Sequence, residues 1–161
     1  MKNNKGFTLI EVVVVFGIII ALAGIVLASS FNFRTSTEIN SVINKLITEI
    51  KNQQIKAMTG DTEGSLQIDN FGIYFFETKY TLFHGDTFSL SDPSNFDINM
   101  ESDIKIRNSF PNNTIIFAPG SGEIVPFIDG SNTITINDVN NFLSKTIQLN
   151  KYGSVINLND N

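Results

Sequence analysis

The sequence predicts an α+β protein: a long N-terminal helix, half membrane-spanning and half amphipathic, packed against an antiparallel β-rich head. Three observations predict it. A nearly continuous apolar stretch runs from Phe7 to Ala28. Apolar residues then recur at helical spacing to about residue 60, after which the pattern changes to short runs rich in Ile, Tyr and Phe between turn residues. The expected segments are therefore a polar leader at 1–6, a transmembrane half-helix at 7–28, an exposed amphipathic helix at 29–60 and a β-rich head at 61–161. A chain of 161 residues can hold one such head and its appendage but not two independent cores.

Each element has its own signal. Met1 to Gly6 carries two charges, Lys2 and Lys5, ahead of the apolar stretch. The stretch is interrupted only by Thr8 and Glu11 and, as a helix rising about 1.5 Å per residue, is long enough to cross a bilayer core. Positive charge before the span places the N-terminus in the cytoplasm and the remainder outside. Gly17, Ala21, Gly24 and Ala28 fall along one side of the span, where another helix could approach, although small residues are common in membrane helices anyway. Ile39, Ile43, Leu46, Ile47, Ile50 and Ala57 then mark a helix face that stops near Gly60.

Beyond Gly60 the expected strands are Ser65 to Ile68, Gly72 to Phe76, Tyr80 to Phe83, Ile104 to Arg107, Thr114 to Phe117, Glu123 to Ile128, Thr133 to Ile136, Thr146 to Asn150 and Val155 to Leu158. Gly85 to Asp103, acidic and containing Pro93, reads as a long loop. Short strands without intervening helices indicate one or two antiparallel sheets.

Composition excludes several functions. The net charge of −5 argues against a general polyanion binder. Without Cys there is no disulfide, thiolate metal site or thiol nucleophile, and the single His84 cannot form a His-rich metal cluster. His84, beside Gly85 at a strand end, reads as a surface imidazole. Asp86, Asp92, Asp97, Glu101 and Asp103 are hard oxygen ligands of the kind Ca²⁺ takes, but their spacing matches no EF-hand and they read as a solvated loop. Gly120-Ser121-Gly122 lacks the Lys and following helix of a phosphate loop and reads as a turn. No catalytic residue, metal or cofactor is expected.

Glu11 is the exception that composition does not explain. A carboxylate within an apolar span costs up to about 3 kcal/mol at the bilayer centre and less near its edge, which makes it a functional suspect. A cleaved secretory signal, with Ala28-Ser29-Ser30 as a loose cleavage site, and a plain signal anchor both leave Glu11 without a role.

Lys5-Gly6-Phe7-Thr8-Leu9-Ile10-Glu11, followed by the apolar run, resembles the class III signal of type IV pilins and pseudopilins. The resemblance implies cutting between Gly6 and Phe7 by a prepilin peptidase, methylation of the new Phe7 amine, and an assembly role for Glu11. The amine would lie four residues from the carboxylate on one helix face, able to pair within a subunit or with a neighbour in a filament. The plainer alternative is that Glu11 only sits at the headgroup level as part of the recognition motif.

The head is similar to the GspH/FimT-like minor pseudopilins through Gln54 to Met58, Phe71 to Phe75, Ile115 to Gly122 and Lys145 to Ile156. The resemblance implies a structural subunit whose partners are other pilins or pseudopilins, the prepilin peptidase, the inner-membrane assembly machinery and, through 7–28, the membrane. It would reside in the inner membrane and then in a pilus or pseudopilus. The alternative is a displayed binding module for a surface, DNA or secretion substrate. No nucleic-acid binding of a general electrostatic kind is expected, because the acidic balance persists beyond the span.

Overall fold

A computed structural model describes residues 8–62, 64, 68–140 and 142–160, without the side chains of 27–37 and 160. It is α+β, with an antiparallel β-rich head. Helix α1 spans Leu9–Thr59, and the chain divides into two units at the Thr37–Glu38 junction.

In the first unit, Leu9 to Val26 is helical and every side chain there is exposed. This segment, with a mean hydropathy of 3.0, is long and apolar enough to cross a membrane. Nothing lies within 4 Å of the positions that a Cβ would take at Gly17 and Gly24.

In the second unit, the remainder of α1 buries Ile39, Ile43, Leu46, Ile50 and Ala57. The spacing returns to one face every three or four residues, as an amphipathic helix requires. The helix ends as Gly60 N–H donates to Ala57 O and Asp61 N–H to Lys56 O, with Gly60 at φ +67°. These paired bonds form a Schellman motif and satisfy carbonyls that the last turn would otherwise leave open.

The helix face shares one core with two antiparallel sheets. The first, in the order β3-β2-β1-β5, comprises β1 (Phe71–Phe75), β2 (Lys79–His84), β3 (Phe96–Asn99) and β5 (Thr114–Phe117). The second, in the order β4-β6-β7-β8, comprises β4 (Ile104–Asn108), β6 (Thr133–Asp138), β7 (Leu143–Leu149) and β8 (Val155–Asp160). Alternation chooses the inner residues: Ile104 and Ile106, Ile134 and Ile136, and Ile147 and Leu149 are buried while their neighbours are more exposed. A bond from Ile106 N–H to Glu77 O, 2.8 Å long, joins β4 to the β1–β2 turn.

Two sequence expectations need correction. Phe96–Asn99 is a strand inside the expected loop. Its acid is neutralised across the sheet: Asp97 accepts from Lys79 Nζ at 2.6 Å and from the Thr81 hydroxyl, while Ile98 turns inward. Glu123 to Ile128 is not a strand, but only a single bridge from Ile124 to Phe117. Pro126 interrupts that run and has no N–H for a ladder. Of the expected strand Ser65 to Ile68, residues 65–67 lie outside the described residues and Ile68 is not in a strand.

Candidate functional site

Gly6 and Phe7 lie outside the described residues; Glu11 does not. Thr8 immediately precedes α1, and its hydroxyl accepts from Glu11 N–H at 3.3 Å. In return, Glu11 Oε2 accepts from Thr8 N–H at 2.9 Å and from the Thr8 hydroxyl at 2.8 Å. This reciprocal arrangement is a capping box, in which two groups three residues apart satisfy each other's open donors. It also holds the carboxylate at the positive end of the helix dipole. Sequence reasoning weighed Glu11 as an intramembrane acid and missed the cap, although Thr-x-x-Glu before an apolar run is its signature.

A second constellation joins three distant segments. Gln54, on α1, donates through Nε2 to Gly122 O at 2.9 Å and Tyr152 O at 2.6 Å. Gly120 N–H donates to Ala57 O, and Ile124 N–H to Lys151 O. Glu123 and Lys151 close the outside with an ion pair of 3.0 Å, which raises the Lys151 pKa.

Two turns make this clasp possible. Gly122 has φ +63°, and a Cβ there would fall on the Met58 and Gln54 side chains. Gly153 has φ +62° and sits against the Phe117 ring. Both need the left-handed backbone and the space that glycine supplies. Asn150 shapes the second turn by accepting from Tyr152 N–H and Ser154 N–H. The Gln54 to Met58, Ile115 to Gly122 and Lys145 to Ile156 segments thus meet around one amide.

The acidic loop residues do not gather into one site. Asp86 pairs with Asn70 Nδ2, while Asp92 accepts from the backbone and hydroxyl of Ser94, bonds that lower its pKa. Asp97 is held below the usual carboxylate range by its hydrogen bonds to Lys79 and Thr81. Asp103 instead approaches Glu38 and Asp138, the three carboxylates lying within 4.8 Å of one another. Asp138 also accepts from Asn140 N–H at 2.9 Å.

His84 Nδ1 lies 3.3 Å from Asp69 Oδ2, and among the described residues no hydroxyl or thiol is hydrogen-bonded to the imidazole. Of the cations beyond residue 60, Lys79 and Lys151 are ion-paired. Lys105 and Arg107 lie two residues apart on β4, beside Glu77.

Residues 1–29 match the family model described as Prokaryotic N-terminal methylation motif. The match supports a type IV pilin or pseudopilin subunit, a structural rather than enzymatic class, and implies processing by a peptidase and assembly with other pilins. The apolar N-terminal helix fits a membrane-anchored protein of that class. No curated protein and no solved structure matches the chain.

Proposed function

We propose that this chain is a minor pilin or pseudopilin of a type IV pilus-like or type II secretion filament, with a head of the GspH/FimT-like kind. One observation carries the reading: the methylation motif heads an apolar helix whose side chains from Leu9 to Val26 are all exposed among the described residues. Such a surface needs lipid or the helices of other subunits around it. In this reading residues 1–6 are the prepilin leader, 7–28 the membrane and assembly half, 29–60 the exposed half of the helix and 61–161 the head. The N-terminus is cytoplasmic and the head lies outside the inner membrane. The meeting of the resembling segments around Gln54 supports the subclass, because it gives residues far apart in sequence a shared structural task.

Prepilin peptidase cuts between Gly6 and Phe7 and methylates Phe7. The new ammonium then stands one residue before Thr8, whose N–H already meets the Glu11 carboxylate. Glu11 can therefore exchange its cap for the amine of its own or a neighbouring subunit.

Co-expression with the peptidase and intact-mass analysis test the first step, with loss of residues 1–6 and gain of one methyl group expected. Retention of the leader, or a cut near Ser30, would contradict it. Glu11→Ala and Glu11→Gln test the second: both should insert and be cut, yet enter filaments roughly tenfold less, equivalent to about 1.4 kcal/mol. Full assembly by Glu11→Gln would reduce the role of Glu11 to capping, since Gln keeps an acceptor for Thr8 but no charge.

A further inference from the structure

The outer face of the first sheet carries a cluster of aromatic rings. Tyr74 and Phe88 stack with centroids 4.2 Å apart, and Phe76 and Phe83 meet Phe88 edge-on at 6.0 and 5.5 Å. Beside the cluster opens a cleft of about 310 Å³, lined by Tyr74, Asp86, Phe88, Asn112, Ile116 and Pro126 among others. We propose that this cleft binds a lysine side chain of another polypeptide, its ammonium held by Asp86 and its aliphatic stem by Tyr74 and Phe88. The proposal does not depend on the leader or on Glu11.

Strand alternation and one glycine build the cluster. Ile73 and Phe75 turn into the core, so Tyr74 between them turns outward. Gly72, the register partner of Phe83, makes room for that ring, since a Cβ there would collide with it. Phe88 follows β2 and comes back over Tyr74. The short segment between them thereby brings Asp86 and Thr87 to the cleft.

The head itself shows which ligand such a set takes. The Lys79 ammonium stands 4.8 Å from the Phe76 centroid and 2.6 Å from an Asp97 oxygen. The Lys151 ammonium stands 5.3 Å from the Tyr152 centroid and 3.0 Å from a Glu123 oxygen. In both places a ring face and a carboxylate attract the same lysine. The first belongs to this very cluster, because Phe76 touches both Tyr74 and Phe88.

The cleft supplies the ring and the carboxylate, and the chain supplies no cation to them. Asp86 is exposed and is the one charged group lining the cleft among the described residues. Its carboxylate accepts from the neutral Asn70 amide and forms no ion pair among those residues. A guest ammonium complements that charge and can donate to it, as Lys79 does to Asp97. The aliphatic stem of a lysine lies well on apolar surface while its charged end stays at the rim. A cleft of this size, at the lower end of the range of roughly 300–1,000 Å³ for ligand sites, suits one side chain rather than a large ligand.

The probe is N-acetyl-lysine-methylamide, titrated against the full chain in detergent micelles with its tyrosine rings isotope-labelled for NMR. Saturable shifts of the Tyr74 ring, assigned by their loss in Tyr74→Phe, are expected with a Kd of about 1 mM. The rings of Tyr80, fully buried, and Tyr152, already beside Lys151, should stay in place. Acetylating the ε-amine of the probe removes its charge and should weaken binding about tenfold or more. Asp86→Asn keeps an acceptor for Asn70 at an exposed position. It should weaken binding about tenfold without lowering the melting temperature. Absence of saturable shifts at Tyr74, equal binding of the acetylated probe, or full affinity in Asp86→Asn would overturn the proposal. So would choline binding as tightly as the lysine probe, since its quaternary ammonium cannot donate to Asp86. Displacement of the probe by methyl glucoside at equal concentration would make the cleft a sugar site instead.

Discussion

The two halves of α1 are both rich in Ile and other apolar residues, yet they solve the problem of burial in opposite ways. From Leu9 to Val26 apolar residues point in all directions and all stay exposed in the chain. From Ile39 to Ala57 they are confined largely to one stripe, which the sheets of the head cover. Total hydrophobicity therefore says only that a partner is needed; its angular distribution says whether the partner is a surrounding medium or one face of the same domain.

That contrast can be broken most directly by matched truncations. Leu46→Ala should lower head stability by about 2–5 kcal/mol, because it empties a fully packed site. Ile18→Ala should leave it within about 0.5 kcal/mol, since that side chain is exposed. Thermal unfolding of the full chain in detergent, followed by near-ultraviolet circular dichroism, measures both. Similar losses would mean that the apolar half also supports the head.

A smaller effect sharpens the account of the amphipathic half. Gln54→Ala should cost about 2–3 kcal/mol, by releasing the Gly122 and Tyr152 carbonyls from the helix. Hydrogen exchange should rise at Gly120 and Ile124, whose N–H groups bond within the clasp. Loss of stability without local exchange there would argue against the clasp as a unit.

Within the head, a smaller change still is expected at Tyr80, fully buried with its hydroxyl unpaired. Tyr80→Phe should be neutral or stabilise the head by up to about 1 kcal/mol, as it removes a polar atom that burial leaves unsatisfied. Burial, with the Glu49 charge as a second cause, pushes the phenol pKa up. Above about pH 10 the unfolded state therefore releases a proton that the folded state retains, so stability falls as pH rises. Tyr80→Phe should flatten this alkaline decline. An unchanged pH profile would show that the decline arises elsewhere.

Regular patterns were legible in the sequence wherever one residue's environment followed from its neighbours. The helix stripe, its stop at Gly60 and strands such as Thr114 to Phe117 needed only period and turn chemistry. The strand Phe96–Asn99 escaped because its acid looked solvated, whereas Thr81 stands opposite it on β2 and Lys79, diagonal to it, pairs with its carboxylate. Glu123 to Ile128 misled in the other direction, since β-rich composition there is overruled by a proline without a donor.

The leader motif, the apolar half-helix, the helix stripe and the α+β order were determined by the sequence alone. Each is a local pattern of charge and hydrophobicity, read within a few turns or one strand. The division into two sheets, the convergence of Gly122 and Tyr152 on Gln54, and the buried Gln53 with its unpaired Oε1 were decided only by the tertiary structure. Adjacent glutamines have the same chemistry in the chain. Which one finds carbonyls and which one faces a cleft depends on segments far along the chain, because hydrogen-bond satisfaction is a property of the packed neighbourhood rather than of sequence.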